Sequence, residues 1–211
     1  MAITDPLTQT LGLVSNMVRA GLIAPMRPDK YLRIAAAMQR ENMAITSGFA
    51  LSAQRCPDRA GLVDELGILT WRQIDRRADA FAAALQALPG GQPEVIGLMA
   101  RNHRGFLDAL IAASRIGADL LLLNTSFAGP ALAEVLEREG IEEGRAKSVA
   151  VIYDEEFTKT VDRSLRDIPA TTRIVAWSDD PESFPESSLT VEQMITDHDG
   201  RSRSAPAQKV T

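Results

Sequence analysis

Three short polar clusters carry the side chains best suited to chemistry: Asn102-His103-Arg104, Asn124-Thr125-Ser126 and Asp154-Glu155-Glu156. In the first, free helix N–H groups and two cationic side chains could hold a phosphate or a carboxylate. Asn102 as a helix cap beside solvated His103 and Arg104 is the plainer alternative. The second offers hydroxyls and an amide, which turn chemistry alone also explains. The third has the oxygens of a metal site, yet acidic residues in the first turn of a helix are expected from its macrodipole, and Asp154 can cap that helix.

All three clusters follow apolar runs, and the runs explain why the clusters matter. Val95 to Met99 is apolar throughout, and Phe106, Ala109, Leu110 and Ala113 then recur at helical spacing up to Gly117. Leu120 to Leu123 is a second run. It is followed by Pro130 at a first helical turn and by Leu132, Val135 and Leu136, with Gly140 as the expected stop. Val149 to Tyr153 is a third run, trailed by Phe157, Val161 and Leu165, and Arg173 to Trp177 is a fourth. Strands apolar on both faces that alternate with helices predict an α/β fold, a parallel doubly wound sheet covered by helices on both sides. Ligands of such sheets sit beyond the C-terminal strand ends, where the three clusters fall.

Upstream, Gly61 to Glu65 and Ile68 to Thr70 flank Leu66-Gly67 as a hairpin. Thr70 and Gln73 form a capping box ahead of Trp71, Ile74, Ala78, Phe81, Leu85 and Leu88 at helical spacing, a helix that Pro89-Gly90-Gly91 stops. Thr8 to Ile23 and Asp29 to Gln54 read as helices separated by Pro25-Met26-Arg27-Pro28. The predicted organisation is therefore a helical lead over 1–54, an incomplete α/β subdomain over 55–177, and a linker-like segment over 178–211. That last segment is acidic at first, then basic, with one short helix at Leu189 to Thr196.

Of the 211 residues, 23 are basic and 28 acidic, a net charge of −5 that argues against nucleic acid as a partner. Two histidines and the single Cys56 argue against a histidine-rich metal site and an internal disulfide, and fit a reducing cytoplasm. No stretch predicts a membrane-spanning helix or a secretory leader. Peripheral contact with a membrane through the basic, Met-bearing lead is the alternative to its packing on the body. No Gly-x-Gly-x-x-Gly, phosphate-loop, nucleophile-elbow or His-Glu-x-x-His pattern occurs.

Several segments taken together resemble the fatty acyl-CoA synthetases among the adenylate-forming, AMP-binding enzymes. They are Cys56-Pro57-Asp58-Arg59-Ala60-Gly61-Leu62-Val63-Asp64 with the helix opening Leu69-Thr70-Trp71, then Val95 to His103, then Ala113 to Leu120 with Leu123-Asn124-Thr125. The lead over residues 8–54 is similar to that of a bacterial fatty acyl-CoA ligase subgroup, and Ala205 to Thr211 resembles the approach to the family's phosphate loop. The resemblance implies ATP, Mg²⁺ and coenzyme A for a complete enzyme that converts a fatty acid to its acyl-adenylate and then to acyl-CoA. The family's phosphate loop, magnesium-binding Glu, ribose-binding Asp and catalytic Lys fall downstream of the matching segments. No catalytic, cofactor-binding or metal residue is therefore carried onto this chain, which is expected not to adenylate alone. The charged loop Glu142 to Lys147 is longer than the family's.

The expected role is thus the N-terminal portion of such a ligase, either truncated or partnered by the remainder of a split synthetase. The alternatives are a noncatalytic α/β module that associates with a synthetase or a membrane, and an unrelated flavodoxin-like nucleotide binder.

Overall fold

The structure, a computed structural model, describes residues 27–40, 46–126, 129–139, 141–142, 145–146, 148–166, 171–179, 189–201 and 203. The predicted helix Thr8 to Ile23 lies outside them. The predicted helix Asp29 to Gln54 is seen as two, α1 (Pro28–Arg40) and α2 (Ser47–Arg55), with residues 41–45 outside the described set. Among the described residues, no helix is long and apolar enough to cross a membrane.

The hairpin forms as expected from β1 (Ala60–Asp64) and β2 (Gly67–Thr70), which pair antiparallel across Glu65-Leu66. Thr70 then starts α3 (Trp71–Gln86) with a complete capping box. Its hydroxyl accepts from the Gln73 N–H, and the Gln73 side chain accepts from the Thr70 N–H at 2.8 Å. The inner face of the hairpin packs Leu62 and Leu69 against Ile74, Ala78 and Ile111.

β3 (Val95–Met99), α4 (Arg104–Ile116), β4 (Asp119–Leu122), α5 (Gly129–Glu139), β7 (Val149–Asp154), α6 (Thr158–Ser164) and β8 (Thr172–Trp177) follow in the predicted alternation. Between α5 and β7, β5 (Ile141–Glu142) and β6 (Arg145–Ala146) make a two-residue antiparallel pair in the charged loop. β9 (Leu189–Thr190) and α7 (Val191–Asp197) complete the described elements.

The main sheet is parallel throughout, in the order β4-β3-β7-β8-β9. Period-two alternation sends its side chains to two cores. Ile96, Leu98, Ala150, Ile152 and Ile174 face α3, α4 and α7, whereas Val95, Met99, Val149, Val151 and Val175 face α5 and α6. The sheet is doubly wound because neither face tolerates water. Gly97 lies in the centre of β3, and a Cβ there would sit 2.9 Å from Leu123 Cδ1 and 3.2 Å from Leu136 Cδ2, so α5 rests directly on the strand backbone.

One part of the expected linker belongs to this body. Leu189-Thr190 pairs with Ile174-Val175, and Val191, Met194 and Ile195 are buried in the first core. The flanking sequence is polar and acidic, but the i, i+3, i+4 stripe that begins at Val191 suffices to dock one short helix. Thr190 caps it by accepting from the Gln193 N–H at 3.2 Å.

The packing at Gly97 makes a specific prediction. Gly97→Val should lower stability by about 1–3 kcal/mol through overpacking between β3 and α5. The check is the urea midpoint against the unchanged protein, and an unaltered midpoint would show that α5 can move away at no cost.

Candidate functional site

In sheet sequence the strand order is second, first, third, fourth, fifth, so the chain reverses direction across the sheet between β3 and β7. The crevice at such a reversal, beyond the C-terminal strand ends, is where parallel sheets bind ligands. Two of the three polar clusters meet there. Asn102-His103-Arg104 follows β3, and Asp154-Glu155-Glu156 spans the end of β7 and the single helical turn after it.

Asp154 is the centre of the arrangement. Its buried carboxylate accepts from the Arg101 backbone N–H at 2.6 Å and bonds His103 Nε2 at 2.9 Å. His103 Nδ1 accepts from the Gly105 N–H at 3.1 Å, so the imidazole is the N-cap of α4. A donor on one side of the ring and a carboxylate on the other leave one neutral arrangement, with the proton on Nε2. Trp177 from β8 lies tilted across the imidazole at 4.8 Å between ring centres. Gly105 lets the helix start this close to the sheet, because a Cβ there would be 2.7 Å from the Ala176 carbonyl oxygen.

Around this centre Arg101 and Arg104 are each matched to a carboxylate. Arg101 reaches Glu156 with two bonds of 2.7 and 2.8 Å and lies over the Phe157 ring at 5.4 Å. Its hydrogen bonds hold the Glu156 carboxyl below the usual range. Arg104 grips Asp64 of β1 through Nε at 2.8 Å and a terminal nitrogen at 2.5 Å, and its backbone N–H adds a third bond at 3.1 Å. The side-chain bonds from Arg104 pull the Asp64 carboxyl down to about 2, against the opposing effect of its burial. The hydroxyl of Ser178 donates to Glu155.

These contacts correct the simpler expectations. Asn102 is exposed and His103 is the cap; His103 and Arg104 are buried instead of solvated; Asp154 makes no side-chain cap to the turn that follows it. The cause is shared: the strand ends bring a carboxylate within reach of each donor. Asn124 does make a turn, accepting from the Ser126 N–H at 2.9 Å, and this cluster stands apart from the other two. The sequence clusters do not include Arg101, Asp64 or Trp177. Arg101 follows a strand and had a local signal, whereas Asp64 meets Arg104 across 40 positions and had none.

A cavity of about 1130 Å³ opens beside this junction, bounded by Glu65, Arg101, His103, Lys159, Trp177 and Leu189. Its described lining carries six carboxylates against three cations, Arg101, Lys159 and Arg173. The described lining is therefore net acidic.

The AMP-binding enzyme family profile matches residues 49–207. No curated protein matches the sequence closely enough to identify a relative. Among solved structures, the chain is similar to a benzoate CoA ligase from Burkholderia xenovorans (TM-score 0.60, 18% identity, 81% of this chain and 29% of that one). It is also similar to the anthranilate CoA ligase AuaEII in complex with anthranoyl-AMP (TM-score 0.61, 17% identity, 74% and 29%). A Rhodopseudomonas palustris protein described as a long-chain-fatty-acid CoA ligase matches equally well (TM-score 0.61, 19% identity, 78% and 38%). The chain thus spans about a third of the length of these structures. At such identities the likeness is one of fold.

The described strand-end residues offer neither a ready metal site nor a free phosphate cradle. Among the described residues no three His, Cys, Asp or Glu side chains are grouped to hold a metal. At the sheet reversal, the Arg101 backbone N–H already donates to Asp154.

The Asp154 junction can be checked directly. Long-range ¹H–¹⁵N spectra at neutral pH should show His103 protonated on Nε2, and the opposite tautomer would refute the capping geometry. Asp154→Ala should lose about 1–3 kcal/mol, the cost of leaving buried donors without an acceptor, as read by the denaturation midpoint.

Proposed function

The chain belongs to the AMP-binding enzyme family, and from that premise we propose that it is the N-terminal scaffold of an ATP-dependent fatty acyl-CoA ligase. In the reaction the fatty carboxylate attacks the α-phosphate of ATP, releasing pyrophosphate. The coenzyme A thiol then attacks the carbonyl of the acyl-adenylate and releases AMP. The observation that carries the reading is the profile match over residues 49–207, and the coincident parallel sheet supports it.

Fatty acids are favoured over aryl acids as substrate by the lead over residues 8–54, which resembles that of fatty acyl-CoA ligases. The fold alone leaves this choice open, since benzoate and anthranilate ligases share it. ATP, Mg²⁺ and coenzyme A belong to the complete enzyme in this reading. The 211 residues by themselves do not adenylate: their strand-end donors are matched to internal carboxylates, and the preorganised charge that stabilises transfer at an α-phosphate must come from elsewhere. The remainder of the synthetase is the expected partner, in the cytoplasm or at the membrane surface.

The test is made on the native product. An antibody against residues 61–177 should recover from its own cells a protein more than twice as heavy as this chain, in line with the share of the structural relatives that it covers. The recovered protein should exchange pyrophosphate into ATP when given palmitate or octanoate, and the purified 211-residue chain should not. Exchange with benzoate alone would overturn the fatty acid assignment. Recovery of a band ending at Thr211, without exchange and with no second synthetase piece, would replace the ligase reading with a noncatalytic module.

A further inference from the structure

Arg77 of α3 serves two carboxylates at once. It donates to Asp108 of α4 through Nε at 3.1 Å and a terminal nitrogen at 2.7 Å, and to Glu192 of α7 at 2.6 and 3.0 Å. Asp108 has a side chain only 2% exposed, Arg77 15% and Glu192 51%, so the guanidinium bridges a buried carboxylate and a surface one. The charges facing Asp108 are Arg77 from α3, Glu192 from α7 and Arg104 from its own helix, and Arg104 is itself committed to Asp64 of the hairpin.

What Arg77 holds in place is the last described strand and helix. Among the described strands β9 pairs only with β8, and α7 packs mainly on α3 and β8. Leu189 of β9 is also part of the wall of the strand-end cavity. Arg76 and Asp199 form a second tether on the exposed side.

We infer that Arg77 is a latch holding β9 and α7 on the body at the edge of the strand-end cavity, and that proton uptake by Asp108 tightens it. While Asp108 is ionised it competes with Glu192 for one guanidinium, and the two anions repel. Once Asp108 is neutral, Arg77 belongs to Glu192. Burial pushes the Asp108 carboxyl from its usual 3.8 up to about 6; the Glu192 charge adds to the rise, and Arg77 and Arg104 oppose it. When α7 undocks, Asp108 loses the Glu192 charge and part of its cover, and its affinity for a proton falls toward the ordinary value. Docking therefore takes up a proton, so the docked state gains as pH drops through 6 and loses as pH rises. The latch does not depend on the acyl-CoA ligase reading.

Hydrogen exchange of the 211-residue chain tests this, with rates corrected for the intrinsic effect of pH. Between pH 7.5 and pH 5.0, protection of peptides covering 189–201 should rise by up to about tenfold, while peptides covering 149–154 should not follow. Asp108→Asn should give the same protection at both pH values. Glu192→Gln, at an exposed position that carries the test if the first variant fails to fold, should weaken protection and shrink the pH response. Equal protection of 189–201 at both pH values overturns the latch. So does a parallel rise over 149–154, a pH response retained in Asp108→Asn, or one undiminished in Glu192→Gln.

Discussion

A parallel sheet whose strands are apolar on both faces has to be covered on both, and the rest of the molecule follows from that constraint. Covering β3 and β7 requires crossover helices, and each helix runs antiparallel to the strand it follows. Helix N-termini therefore gather at the C-terminal ends of the strands, where their free N–H groups make the local backbone electropositive. In this chain the charge is met from within. Asp154 satisfies the N–H of Arg101 and the His103 cap of α4, and Asp64 reaches the first N–H of the same helix from the hairpin.

Guanidinium groups are the second recurring device. Arg104 ties the hairpin to α4, Arg77 ties α3 to α4 and α7, and fully buried Arg115 joins α4 to Asp75 and Asp79 of α3. Arg203 adds to that last cluster by donating to the Arg115 carbonyl at 2.6 Å. Such pairs contribute less to net stability than their short distances suggest, because desolvation offsets most of the attraction. Their effect is on geometry: a planar fork with several donors fixes the angle between elements that apolar packing alone would let slide.

The elements that sequence made legible are those governed by local rules. The hairpin, the Thr70–Gln73 capping box, the four apolar strands and the order of helices between them were all readable, because periodicity and capping act within a few residues. β9 was missed since two residues in an acidic stretch carry no period, and its pairing depends wholly on β8 being there. The roles of His103 and Arg104 were misjudged for a related reason. A polar triplet after a strand looks solvated until carboxylates about 50 and 40 positions away are brought against it.

By itself, then, the sequence determined the α/β class, the succession of elements and the family, since each rests on residue types at short spacing and in a set order. Only the tertiary structure decided which carboxylate meets which cation, that the strand-end crevice is stitched by Asp154 and lined with excess acid, and that residues 189–197 belong to the core. Those outcomes depend on contacts such as Ser178–Glu155, Arg104–Asp64 and Arg77–Glu192, which are 23, 40 and 115 positions apart, and no local pattern encodes a partner at that separation.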